Sequence, residues 1–147
     1  MLDLILSIQR DEYGVAITAK DQPDLTDIPA FYQTGHGDFR VATDGDRIIG
    51  TIALKDIGAG HGALRKMFVA ASHRGREAGV AQALLDGLLT DARDRGVQQI
   101  WLGTTDLFVA AHRFYERNGF APVPVEALPI AFPRMAVDTR FYGRALA

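Results

Sequence analysis

The sequence predicts an α/β (α+β) fold in which helices pack on one mixed sheet. Helix-like and strand-like runs interleave along a single chain of 147 residues. Their order reads helix, strands in a meander, helix, strand, helix, strands, the pattern of a layered domain. No internal repeat, low-complexity tract or linker interrupts it, so residues 1–147 are expected to form one domain.

Taken in order, Asp3–Tyr13 carries Ile5, Leu6 and Ile8, next to Leu2, at helical spacing, and Gly14 ends it. Asp27–Gln33 reads as a short second helix and Gly35-His36-Gly37 as a breaker. Phe39–Thr43 alternates like a strand, and Asp44-Gly45-Asp46 is a hairpin signal. Arg47–Ile57 is a second strand. Gly58–Gly62 turns the chain, and Ala63–Ala70 is a third strand. Residues 71–79 form a loop rich in glycine and arginine. Val80–Arg95 has clear helical periodicity: Val80, Leu84, Leu88 and Ala92 share one face, with Gly96 suited to follow its end. Gln99–Thr105 is a compact strand, and Asp106 can cap a helix running to Asn118, stopped by Gly119. Two short strands follow, near Phe120 and across Met135–Tyr142, separated by a proline-rich loop from Pro122 to Pro133.

Composition narrows the function. An apolar fraction of 48% with 23% charged residues excludes disorder. A net charge of −2 gives no electrostatic case for a nucleic-acid partner. No stretch approaches the ~18 apolar residues of a membrane helix, and Met1–Gln9 lacks the features of a signal peptide, so a cytoplasmic protein with no membrane partner is expected. The absence of cysteine excludes disulfides, thiolate catalysis and zinc–thiolate sites, and fits a reducing compartment. The two serines, Ser7 and Ser72, lie in no nucleophile elbow. The four histidines, at 36, 61, 73 and 112, lack metal-ligand spacing, so no metal is expected.

The most informative stretch runs from Val69 to Ala81. It leaves a strand, passes Arg74, Gly75, Arg76, Glu77, Ala78 and Gly79, and enters the long helix at Val80 and Ala81. A helix N-terminus presents unpaired N–H groups and a partial positive charge. Glycines allow close backbone approach, and arginines add forked donors. The combination suits a phosphate or pyrophosphate, and it also suits an ordinary strand–helix connection with solvated arginines. No Gly-Lys-Ser/Thr follows, so this is not a Walker A loop. A G-x-G-x-x-A match at Gly58–Ala63 precedes a strand rather than a helix, and reads as a hairpin turn.

Arg76-x-x-Gly79-x-Ala81 resembles the Gln/Arg-x-x-Gly-x-Gly/Ala acetyl-CoA loop of the GNAT superfamily of N-acetyltransferases. Val69, ahead of Arg74-Gly75, resembles that family's V-x-P-x-x-R-G approach. Leu102–Thr105 and Ala111–Phe120 resemble its A-x-x-x-Y-x-x-x-G-F block. The resemblance covers about residues 39–142. Departures are present: a loop two residues longer, Ala71 for a common proline, Phe108 where many members have a cofactor-contacting asparagine, and Ala63 where many have a glutamate. The family begins with a strand, whereas Met1 sits almost at the first helix. The first strand is therefore expected to be missing, or the start to lie upstream. If it is missing, the Phe39–Thr43 strand becomes an edge, and an exposed edge invites a homodimer.

The resemblance implies a GNAT-like, mostly antiparallel central sheet flanked by helices. It implies acetyl transfer from acetyl-CoA to the primary amine of a small molecule. The loop 74–81 would hold the pyrophosphate, by Arg74 or Arg76. The backbone of Met67, Phe68 and Val69 would meet the pantetheine arm, with the Val69 N–H as oxyanion donor. Thr104, Phe108, Ala111 and Phe114 would complete the cofactor site. Tyr115 would be the general acid, since a phenol with pKa near ~10 stays protonated at neutral pH; by its residues alone Tyr115 reads equally as a core tyrosine. Asp56, His61, Glu77, Asp106, His112 and Glu126 are all candidate bases, and none stands out. His112 and Glu116 also fit a solvated helical pair. Phe31, Tyr32, Phe39 and Phe132 fit acceptor-pocket walls or core packing. Two rival functions stand beside the enzyme: a catalytically weak acyl-CoA-binding regulatory or assembly module, and a protein for another phosphate ligand.

Overall fold

The computed structural model describes residues 4, 5, 28, 32, 33, 35, 37–70, 72, 79–106, 109–133 and 138–146. Among the described residues, six strands and two full helices follow in the order β1 (Asp38–Asp44), β2 (Arg47–Gly58), β3 (His61–Val69), α1 (Val80–Asp94), β4 (Gln99–Thr104), α2 (Val109–Arg117), β5 (Ala121–Val123) and β6 (Arg140–Ala145). A 3-10 turn occupies Val125–Ala127. The strands form one sheet in the order β1-β2-β3-β4-β6-β5. β3 and β4 are parallel, and every other neighbouring pair is antiparallel.

Alternation along the strands sorts their side chains onto two faces. On the first face, Ile52, Leu54, Leu64, Ile100, Leu102 and Tyr142 meet the buried stripe of α1 and Tyr115 of α2. The α1 stripe is Leu84, Leu85, Leu88, Leu89 and Ala92. At about 1.5–3 kcal/mol per buried leucine side chain, that stripe suffices to fix the helix on the sheet. On the second face, Ala53 and Phe68 join Ile5, Ile28, Tyr32 and Phe39. Beside them Ala63, Trp101 and Phe141 join Phe132.

Both helices end in the same way. Gly96 has φ 92°; its N–H donates to Arg93 O at 3.1 Å while Val97 N–H donates to Ala92 O at 2.9 Å. Gly119 has φ 85°; its N–H donates to Glu116 O at 3.3 Å while Phe120 N–H donates to Tyr115 O at 3.1 Å. Each is a Schellman motif, in which the left-handed residue costs least as glycine.

Several boundaries differ from those expected. The second turn is only Ala59-Gly60, both at positive φ, so β3 begins at His61 rather than Ala63. Gly62 lies within the strand, where a Cβ would meet Leu54 at 2.7 Å. α2 is described over Val109–Arg117, with residues 107 and 108, next to the expected Asp106 cap, outside the described residues; the Asp106 carboxylate faces Arg140 at 3.5 Å. The last strand is Arg140–Ala145 rather than Met135–Tyr142, because β4 and β5 both pair with it there. Of the expected Asp3–Tyr13 helix only Leu4 and Ile5 are described, and both are helical. Of Asp27–Gln33, Ile28 is helical and accepts from Tyr32 N–H at 2.8 Å.

Candidate functional site

The parallel pairing of β3 with β4 runs from His61–Gln99 to Leu64–Leu102 and stops. Beyond it β3 continues to Val69 on β2, and β4 continues to Thr104 on β6. The two strands therefore part into a V whose vertex lies at Leu64 and Leu102. The cause is local. Thr51 opposes Phe68 but Ala53 opposes Arg65, so β3 carries an extra residue at Lys66. Lys66 has φ 55°, a left-handed conformation that costs a non-glycine residue about 1–3 kcal/mol. The Thr51 hydroxyl secures it by donating to Lys66 O at 2.7 Å.

After the bulge, Val69 sits opposite Gly50, and Ala70 N–H donates to Ile49 O at 2.7 Å. That alternation makes Val69–Gly50 a non-hydrogen-bonded pair and turns the Val69 N–H away from β2, toward the V. The start of α1 lies over the same place. A Cβ at Gly50 would meet Leu84 at 3.0 Å and Val80 at 3.2 Å. Gly79 adopts φ 66° as the N-cap residue, and its carbonyl accepts from Ala83 N–H at 3.0 Å.

The expected site residues distribute as follows. Met67, Val80, Ala111, Phe114 and Tyr115 belong to one apolar cluster on the first face. Phe68 turns to the second face. Val69 is buried at the divergent end of β3, Gly79 and Ala81 lie in the first turn of α1, and Thr104 is buried at the end of β4. Arg74, Gly75, Arg76, Glu77, Ala78 and Phe108 lie outside the described residues, as does Phe31.

Tyr115 is 5% exposed. Its ring meets Phe120 at 5.8 Å and Tyr142 at 6.0 Å. Tyr142 pairs with Leu102, so Tyr115 stands at the level of the vertex. Burial, reinforced by Tyr142, pushes the Tyr115 phenol well above its ordinary range. Burial also raises Tyr142, together with its hydrogen bond to Glu116 and that carboxylate's charge, while Arg140 opposes them. Tyr142 OH donates to Glu116 Oε2 at 2.9 Å.

The candidate bases are engaged or displaced. His112 is buried. Its Nε2 lies 2.8 Å from Thr105 O, and its Nδ1 lies 3.0 Å from Arg140 Nη1. A carbonyl only accepts and a guanidinium only donates, so His112 is the Nε2–H tautomer with both nitrogens occupied. It therefore forms no pair with Glu116. Asp56 and His61 sit at the closed end of β3, where Asp56 opposes Gly62 and His61 Nδ1 accepts from Trp101 Nε1 at 2.9 Å. Asp106 faces Arg140, and Glu126 lies in the exposed 3-10 turn. Glu77 is outside the described residues. Tyr32, Phe39 and Phe132 are core residues. No cluster of three metal-ligating side chains occurs among the described residues.

Sequence reasoning missed one arrangement at the vertex. Gly103 is the first β4 residue beyond the last β3 pair, and alternation places it on the second face beside Trp101. A Cβ there would lie 2.6 Å from Asp138 Oδ2 and 3.2 Å from Phe141. The Asp138 carboxylate thus rests directly on the strand. The signal was a glycine inside a strand pattern, which marks close approach of another group. The Lys66 bulge had no comparable signal. An open cleft of about 490 Å³, lined by Asp86, Arg93, Arg117 and Arg144, lies apart and includes none of the expected site residues.

Residues 2–120 match the family model described as Acetyltransferase (GNAT) family. N-acetyltransferase 8F1 of Rattus norvegicus is 35% identical over 102 residues, which is 66% of this chain and 45% of the relative. The chain thus spans about half the length of the curated relatives it matches. An acetyltransferase of the GNAT family from Staphylococcus aureus Mu50 superposes with TM-score 0.94 at 37% identity, covering 99% of this chain and 90% of that one. N-acetylglutamate synthase from Neisseria gonorrhoeae, complexed with coenzyme A and N-acetyl-glutamate, shares the fold at TM-score 0.73 and 15% identity over 99% of this chain and 32% of that one.

Proposed function

Because the chain belongs to the acetyltransferase (GNAT) family, we propose that it moves an acetyl group from acetyl-CoA to the primary amine of a small molecule by direct transfer. The observation that carries this reading is the parting of β3 from β4 beyond Leu64 and Leu102. An elongated pantetheine arm can run along strand backbone, and beyond Leu64 β3 pairs with β2 on one side while it has parted from β4 on the other. A neighbour in fold is complexed with coenzyme A. The chain has no cysteine to form a thioester intermediate of its own, which favours direct attack.

In this reading residues 74–81 hold the pyrophosphate at the start of α1, and Met67, Phe68 and Val69 meet the arm. The Val69 N–H stabilises the oxyanion. The C–N bond forms as the C–S bond breaks. The ammonium form of the acceptor loses two protons overall: one is matched by the proton that Tyr115 gives the departing thiolate, and one enters solvent. A phenol raised by burial stays protonated at neutral pH, as this role demands. The cytoplasm is the proposed site of action. β1 ends the sheet order among the described residues, with Val41 45% exposed, and pairing of two copies along it is the proposed dimer. Light scattering that finds only monomer contradicts the dimer.

Ala63, fully buried beside Phe132 and Phe141, brings no carboxylate to the strand, and this favours the second reading, a catalytically weak acyl-CoA-binding module. A thiol-release assay with acetyl-CoA against amino acids, polyamines, amino sugars and aromatic amines separates the two. Turnover with any of them is expected; saturable binding without turnover leaves the module.

A further inference from the structure

Resting on the acetyltransferase reading, we infer that Asp138 and Arg65 form the acceptor's recognition pair, and that the acceptor is an amine which also carries a carboxylate. Asp138 would bind its ammonium and Arg65 its carboxylate.

Both side chains reach the second face at the vertex. Leu64 pairs with Leu102, so Arg65 and Gly103 are the first residues beyond the last β3–β4 pair, on adjacent strands. Arg65 opposes Ala53, a second-face residue. Its guanidinium carbon lies 5.9 Å from the centre of the Tyr32 ring, which holds the cation over an aromatic face. Asp138 enters from the segment preceding β6. Thr139 N–H donates to Thr104 O at 2.8 Å, and Asp106 N–H donates to Thr139 Oγ1 at 3.0 Å. These bonds tie Asp138 to the end of β4, and the missing side chain of Gly103 lets its carboxylate settle on the strand. One negative and one positive group thus flank the point where the strands part.

The two faces divide the labour. Tyr115 stands on the first face, at the level of Leu102. Asp138 stands on the second, one residue along β4. An acetyl group lying in the V between them would be approached by the amine from one side while the sulfur departs toward the other. A carboxylate on the amine side orients the ammonium by charge-assisted hydrogen bonds. A second ammonium, as in a polyamine, would instead face the Arg65 cation. A carboxylate at that place would be met by a forked donor. Three sequence-nominated carboxylates, Asp56, Asp106 and Glu126, lie elsewhere, as described above.

The test uses the full chain with acetyl-CoA and matched acceptors: a set of amino acids, and for each the amine that lacks the carboxylate. The wild type is expected to favour the amino acid by at least tenfold in kcat/KM for one or more pairs. Asp138→Asn should raise KM for that acceptor at least tenfold while the acetyl-CoA dissociation constant stays within twofold. Arg65→Met should reduce or reverse the preference for the amino acid over its decarboxylated partner. Gly103→Ala should reproduce the Asp138→Asn defect by displacing the carboxylate; since a Cβ there also crowds Phe141, the conservative Asp138→Asn decides. Equal or better use of the decarboxylated amines overturns the inference, as does an unchanged acceptor KM in Asp138→Asn. Wild-type protein that acetylates no amine overturns the acetyltransferase reading itself.

Discussion

Tyr115 carries the strongest expectations for a single side chain. Tyr115→Phe keeps the ring that packs on Phe120 and Tyr142 and removes only the hydroxyl. Acetyl transfer should fall toward the low end of the roughly 10²–10⁴-fold typical of a lost general acid, because giving a proton from a raised phenol to a thiolate whose thiol has pKa near ~8.5 is uphill. Acetyl-CoA binding by calorimetry should be unchanged; equal turnover would remove the role. The same burial has a consequence for stability. Tyr115 is raised in the folded state, so above pH ~10 the unfolded chain releases a proton that the folded chain retains. Stability is therefore complete below that pH and declines as pH rises through it, and Tyr115→Phe should flatten the decline in alkaline denaturation curves. At Lys66, Thr51→Val would leave a buried carbonyl without its 2.7 Å donor and should cost about 1–3 kcal/mol by urea denaturation. These residues were unequally legible. The Ala111–Phe120 block singled out Tyr115 as a candidate, because a spaced motif on a helix survives in one dimension. Lys66 carries no turn chemistry, so its left-handed backbone was invisible. His112 looked available because nothing in sequence indicates that Thr105 and Arg140 occupy both its nitrogens.

Elements read well where their own periodicity specified them. The stripe Leu84, Leu85, Leu88, Leu89 and Ala92 marked α1, and Gly96 marked its end. Gly96→Ala places a Cβ at φ 92° and should lower stability by about 1–2 kcal/mol, read from the urea midpoint at constant slope; no change would mean that the Schellman end does not hold α1. Elements placed by their partners read less well. β6 is offset from the expected Met135–Tyr142 strand because its register is set by β4 on one side and β5 on the other. The V has the same origin. Each of its strands was evident in sequence, but their parting depends on one extra residue in β3 against β2. The Gly119 end of α2 links an element to chemistry, since Phe120, which completes the motif, also packs on the Tyr115 ring.

At the scale of the molecule, the fold uses one sheet with two differently furnished faces. The first carries α1, α2 and Tyr115; the second carries aromatic clusters, Arg65 and Asp138. The strands part between them, so a ligand in the V would touch both. A ligand that binds only the folded state must stabilise it, by about 2.7 kcal/mol at one hundred times its dissociation constant; coenzyme A should therefore raise the melting temperature, and no rise at saturating concentration would contradict a preformed site. The most direct test of the central claim is a crystal structure of the chain grown with coenzyme A. The account expects pantetheine density between β3 and β4, running beside Met67, Phe68 and Val69, with the diphosphate at Gly79–Ala81. Coenzyme A bound elsewhere, or β3 and β4 found closed along their full length with no ligand between them, would contradict it.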